Sequence, residues 1–197
     1  MNIKTKTKRG FTLIELLVVI AIIAILMVTV VITLNPGQLL AQSRDSNRLS
    51  DIATLKTAIS LFTADVATTS ILGIKTKCYS YMANGTASTT CPWFATASTT
   101  TNVSLSRGVN GSGWVPVGFS SISAGAPFSQ LPIDPVANST STFYSYTASG
   151  TSLFKLAAKM ESTKFQASGT ADVVSTDGGS DDTTYEAGTG IGGTNAL

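Results

Sequence analysis

Lys8-Arg9-Gly10-Phe11-Thr12-Leu13-Ile14-Glu15-Leu16-Leu17-Val18-Val19-Ile20 is the stretch on which the reading of this chain turns. Ahead of it, Met1 to Gly10 carries Lys4, Lys6, Lys8 and Arg9 and no acidic residue; behind it, the apolar run continues to Leu34 with Glu15 as its single ionisable group. Those 24 residues, Phe11 to Leu34, make a helix about 36 Å long at about 1.5 Å per residue, enough to span a bilayer. A secretory signal places its cleavage site after a shorter apolar core. Here the plausible processing point, Gly10, comes before the apolar run, so cleavage leaves the helix on the mature chain. The basic cluster predicts a cytoplasmic amino terminus and an exported carboxy terminus.

Composition narrows the alternatives. The chain has 197 residues, 43% of them hydrophobic, room for one modest globular head and one stem. Of its 13 basic residues four lie in the leader, so the remainder carries nine against 11 acidic ones. The net charge of +2 therefore belongs to the leader and argues no nucleic-acid site; Lys75, Lys77 and Arg107 are too few for a basic groove. With no His anywhere, imidazole triads and His metal sites are excluded.

The Lys8–Ile20 segment closely resembles the class III signal of type IV pilins and of the pseudopilins of type II secretion. That resemblance implies cutting by a membrane prepilin peptidase between Gly10 and Phe11, N-methylation of Phe11, and an assembly role for Glu15. It also implies the partners: identical or related pilin subunits in a helical filament, an inner-membrane assembly platform, and membrane lipid before assembly. No enzymatic activity and no required cofactor follow from it. The physics agrees, because a carboxylate inside a lipid-facing helix costs on the order of 2.5–3.5 kcal/mol and needs a partner. The new amine of Phe11, on the same or a neighbouring subunit, supplies one.

The fold expected is α+β and pilin-like: a long amino-terminal helix, half transmembrane and half amphipathic, packed on a small antiparallel sheet. The division expected is a leader over 1–10, a transmembrane and assembly helix over 11–35, the amphipathic half of the stem over 36–68, and a head over 69–197. Asn35-Pro36-Gly37 interrupts the helical pattern, Pro36 and Gly37 being the helix break. From Gln38 the pattern resumes, with Ile52, Leu55, Ile59, Phe62 and Val66 on one face, aimed at a sheet. Arg44, Asp45, Arg48, Asp51 and Lys56 populate the other faces, with both charge signs present, and read as a solvated face or as a surface for subunit contacts.

Within the head, residues 69 to 113 read as a long connecting region anchored by Tyr79, Tyr81, Trp93 and Phe94. Cys78 and Cys91 are placed to close a disulfide across it, worth about 3 kcal/mol on the loop-entropy argument. Phe143–Thr147 and Leu153–Met160, joined by a turn over Ala148–Ser152, read as an antiparallel hairpin with one buried side, Lys155 and Lys159 pointing away from it. Three or four antiparallel strands are expected in all. Leu131-Pro132-Ile133-Asp134-Pro135 resembles the Leu-Pro-x-Asp-Pro stretch of major pseudopilins. Ser175 to Asp182 gathers Asp177, Asp181 and Asp182 beside two glycines, an oxygen-rich segment of the kind calcium takes, and it resembles the calcium loop of those proteins.

Two functions compete within that family reading: a subunit of a type IV pilus-like filament, or a major pseudopilin of a type II secretion-like system. The remote alternative, an extracellular enzyme or binding protein tethered by one helix, has neither an imidazole nor a phosphate-binding glycine loop to support it.

Overall fold

The computed structural model describes residues 10–66, 72–73, 77–81, 100–136, 142–149 and 153–190. The chain forms two compact units, one ending at Leu39 and one running from Leu40 to the carboxy terminus. In the first, helix α1 spans Leu13–Leu34 and buries none of its residues. At about 1.5 Å per residue its 22 residues reach about 33 Å. Thr29 and Thr33 turn their hydroxyls back onto the carbonyls of Leu26 (2.8 Å) and Thr29 (2.7 Å). The helix therefore shows the outside an almost wholly apolar surface.

Helix α2 spans Pro36–Asp65 and supplies the second unit with one side of its core. Ala41, Asp45, Arg48, Ile52, Leu55, Ala58, Ile59 and Phe62 are buried along it, the steps of three and four that line one helical face. The apolar stripe expected from Ile52 onward is present, with Val66 partly buried past its end. Two residues expected in solvent are corrected: Asp45 and Arg48 are fully buried because the same face continues toward the amino terminus in charged residues. Lys56 is exposed, whereas Asp51 is half-buried and accepts the Tyr144 hydroxyl at 2.8 Å.

Five strands form a single sheet: β1 (Lys77–Tyr81), β2 (Thr100–Ser104), β3 (Tyr144–Ser149), β4 (Leu153–Ala158) and β5 (Tyr185–Gly188), in the order β2-β1-β3-β4-β5. The expected antiparallel strands are present as β1, β3, β4 and β5. The expectation needs one correction: a fifth strand among the described residues, β2, pairs with β1 in parallel, Lys77 opposite Thr100 through Tyr81 opposite Ser104. Both come from the region read as a connecting loop. Thr-Thr-Asn-Val-Ser has one large apolar residue, Val103, so no alternation marks it, and its strand character comes from pairing rather than pattern. The hairpin is where it was expected, β3 meeting β4 from Tyr144 opposite Ala158 to Ser149 opposite Leu153.

Trp114, Phe119, Leu131, Tyr144, Tyr146 and Phe154 join the α2 stripe in the main core. The other face of the sheet has its own small cluster of Cys78, Phe143 and Ala157, with Val103 against it. The hairpin consequently has two covered sides, not one, and Lys155 lies fully inside. Lys159, past the end of β4, is exposed as expected. Tyr79 is a core residue and Tyr81 packs at its edge, while Trp93 and Phe94 lie outside the described residues.

Candidate functional site

The front of α1 is organised by Thr12 and Glu15. Thr12 is in extended conformation (φ −83°, ψ 152°) and caps the helix, its hydroxyl oxygen accepting the Glu15 amide at 3.3 Å. Glu15 reaches back, its Oε2 accepting the Thr12 amide at 2.8 Å and the Thr12 hydroxyl at 2.9 Å. This is a reciprocal capping box, which satisfies amides that a helix start otherwise leaves open. It could have been read from the Thr12-Leu13-Ile14-Glu15 spacing. Gly10 and Phe11 precede the cap outside the helix, and Phe11 is 90% exposed. A Cβ added at Gly10 would meet nothing within 4 Å. The bond between them thus lies in open, non-helical chain.

At the other end of α1, Asn35 leaves helical conformation for the left-handed region (φ 42°, ψ 76°), which Asn tolerates better than most residues. Its carbonyl accepts the amides of Gln38 (2.9 Å) and Leu39 (3.3 Å). Pro36 and Gly37 are the first two residues of α2. Proline is at home in a first helical turn, where its missing N–H costs nothing.

In the second unit, the charged end of the α2 stripe meets the Leu131–Pro135 segment. Arg48 Nε donates to Asp134 Oδ2 at 2.7 Å and Arg48 Nη2 to Asp134 Oδ1 at 2.9 Å, while Nη1 donates to Asp45 Oδ1 at 2.8 Å. Asp45 also accepts the amides of Glu161 (3.0 Å) and Ser162 (2.7 Å). At the rim, Arg44 Nε bonds Glu161 Oε2 at 2.6 Å, and Arg48 Nη1 lies 3.3 Å from the same oxygen. Burial works against the Arg48 charge, but the bonds and charge of Asp134, helped by Glu161 and Asp45, hold its pKa above the ordinary value. Burial likewise acts to raise Glu161, and the bonds from Arg44 and Arg48 outweigh it, leaving that carboxyl below its ordinary value.

Asp134 is itself held in place. Its Oδ1 accepts the Val136 amide at 2.7 Å, the Leu131 carbonyl accepts Arg107 Nε at 2.7 Å, and the Pro132 carbonyl accepts the Trp114 indole at 3.0 Å. The Leu-Pro-x-Asp-Pro stretch is therefore the piece of the head that receives the stem.

Among the oxygen-rich residues near the carboxy terminus, Asp177 accepts the amides of Gly179 (Oδ1, 2.7 Å) and Glu186 (Oδ2, 2.6 Å). Asp181 accepts the Thr183 amide (2.9 Å) and hydroxyl (2.6 Å). The buried cation here is the chain's own: Lys155 on β4 pairs with Glu186 on β5, both side chains fully inside, and its ammonium donates to Ser180 Oγ at 3.2 Å. Burial pushes the carboxyls of Glu186 and Asp177 up. Among the described residues no group of three or more His, Cys, Asp or Glu is arranged to hold a metal ion. Cys78 is fully buried in β1; its expected partner, Cys91, lies outside the described residues. A groove along α2 between Ser50 and Leu61, closed on one side by Pro127, is lined by small and apolar residues and has no titratable side chain in its walls.

A family model described as the prokaryotic N-terminal methylation motif matches residues 5–31. No curated protein and no solved structure gives a significant match to the chain. The motif marks the front of this chain as a class III signal of the pilin and pseudopilin kind. It supports a type IV pilin-like or pseudopilin precursor, anchored in a membrane by its apolar helix and meeting a prepilin peptidase and assembly partners.

Proposed function

We propose that this chain is a structural subunit of a type IV pilus-like filament, cut between Gly10 and Phe11, N-methylated at Phe11 and assembled through α1. The observation that carries the reading is the exposure of α1: its large apolar side chains from Leu13 to Leu34 are each at least 43% exposed, and the methylation motif stands directly at its front. Such a helix needs apolar surroundings on every side. Lipid supplies them before assembly and neighbouring helices afterwards, close van der Waals packing supplying the cohesion. Glu15 then acts as a register residue. Cleavage creates an amine on Phe11, one residue before the Thr12 amide that Glu15 already binds, and that amine, in the same or a neighbouring subunit, is the partner for its charge. The head is exported, Cys78 and Cys91 form its disulfide, and no catalysis or cofactor is required.

A second reading, a major pseudopilin of a type II secretion-like system, is favoured by Leu131–Pro135, whose Asp134 receives Arg48 of the stem. Mass spectrometry of the mature protein tests the common part: a start at methylated Phe11, with two hydrogens fewer than the reduced chain, is expected. A chain still beginning at Met1 in cells with an active prepilin peptidase would overturn it. Electron microscopy separates the two readings, long surface filaments marking the pilus. A secretion defect in cells lacking both this chain and visible filaments marks the pseudopilus.

A further inference from the structure

The apolar stripe of α2 nearly repeats itself. Ile52, Leu55, Ile59 and Phe62 are similar in bulk and succeed one another at steps of three and four, with Leu49 packed before them and Val66 after. Sliding the helix by one turn, about 5.4 Å, carries each residue to the seat of its neighbour. Hydrophobic burial is non-directional, so apart from the small seat of Ala58, which a slip toward the amino terminus would ask Phe62 to fill, this stripe discriminates less sharply between the native seat and a slipped one than charges do.

The charged end of the same face does discriminate. If α2 moved one turn toward its carboxy terminus, Arg48 would enter the seat of Ile52, which is 0% exposed and belongs to the apolar core. Ala41 would then stand where Asp45 accepts the amides of Glu161 and Ser162. One turn the other way, Ile52 would face Asp134, a carboxylate only 4% exposed, and leave it without its cation. Each slip buries an unpaired charge, the most costly outcome available to a protein interior.

We propose that the cluster of Arg48, Asp45 and Asp134 is the register lock of the head: it chooses one among several nearly equivalent seats for α2, and choosing is its role more than adding net stability. A buried ion pair commonly adds little over apolar residues of similar volume, and fixing register is its best-attested use. This inference concerns the fold of the second unit and stands whether the assembled filament is a pilus or a pseudopilus.

A native contact elsewhere on α2 reports the seat. Asp65 accepts the Ser123 amide (2.6 Å) and hydroxyl (2.7 Å), so Asp65→Cys with Ser123→Cys reads the native register. Leu61→Cys with Ser123→Cys reads a one-turn slip toward the carboxy terminus, the one that would carry Arg48 into the apolar core. The full chain in detergent micelles is treated with a short thiol cross-linker, and the products are mapped by peptide mass spectrometry so that Cys78 and Cys91 are told apart. With the lock intact, only the 65–123 product is expected. With Arg48→Met and Asp134→Asn, which remove both charge penalties of a slip, the head still melts cooperatively. The 61–123 product then rises to about a tenth of the native one or more, the range of a populated minor state. A cooperatively folded double variant yielding only the 65–123 product would overturn the proposal. Should that variant fail to fold, Arg48→Gln decides by the same criterion: slipped product in folded protein supports the lock, and its absence sinks it.

Discussion

Arg48 grips Asp134 through two parallel bonds of 2.7 and 2.9 Å across 86 residues of sequence, both side chains inside the protein. Removing one partner leaves the other charge buried and alone, an event that costs about 3–5 kcal/mol. Arg48→Ala is therefore expected to lower the melting temperature of the head by about 6–20 °C, at about 2–4 °C per kcal/mol for a unit of this size. Differential scanning calorimetry checks it. A loss of only a degree or two would mean that water reaches Asp134.

Acid has a defined effect at Glu161. Its folded-state pKa lies below the ordinary value of 4.5, so its contribution is fully present above that value and is lost as pH falls through the lower, folded one. The half-buried carboxyl of Asp51 and the buried one of Glu186 are pushed up by desolvation and act in the opposite sense, which makes a comparison of variants the clean measurement. Glu161→Gln should flatten the decline in urea-unfolding stability below pH 4.5 while leaving the profile above pH 6 parallel to the parent. Parallel curves throughout would show that Glu161 is not coupled to Arg44 and Arg48 in solution.

Lys155 and Glu186 make the third test. Lys155→Met alone strands the Glu186 carboxylate in the sheet and should destabilise by several kcal/mol, whereas Lys155→Met with Glu186→Leu should recover most of the loss. Because Asp177 already accepts two backbone amides and the local cation is an ammonium, added calcium should not shift the melting temperature. A rise that disappears in Asp181→Asn with Asp182→Asn would assign calcium to this loop.

At the front of the chain, helix capping and assembly are separable. Glu15→Leu removes the carboxylate, and membrane insertion should persist while filament assembly fails. Thr12→Val removes the hydroxyl of the capping box (2.9 and 3.3 Å bonds) but keeps the Glu15 charge, and filaments should form. Fractionation of membranes and imaging of sheared filaments give the two readouts. Filaments from Glu15→Leu cells would dismiss the assembly role.

What could be read from the sequence was local. Lys8 to Leu34, the Ile52–Phe62 stripe and the β3–β4 hairpin each express their structure in neighbouring residues. Asp45 and Arg48 could not be placed, because a charged pair on a helix face looks solvated until its other partners are known, and theirs lie 86 to 117 residues away. Lys155 was misplaced for the same reason: its counter-ion is on another strand. β2 carries almost no apolar pattern and exists because β1 pairs with it. Trp114, fully buried in the core, follows directly on the 69–113 region read as a connecting segment, where Gly and Ser give no apolar pattern to announce it.

The long span between Arg48 and its carboxylates also dictates an order of events. A chain made from its amino terminus presents the stem first, and the guanidinium must stay hydrated until Asp134 and then Glu161 have emerged. The β3–β4 hairpin joins neighbouring residues, whereas seating the helix on Asp134 closes a span of 86 residues. Loop-closure entropy favours the shorter closure, so the hairpin is expected to form before the stem docks, and amide-exchange labelling during refolding checks that order.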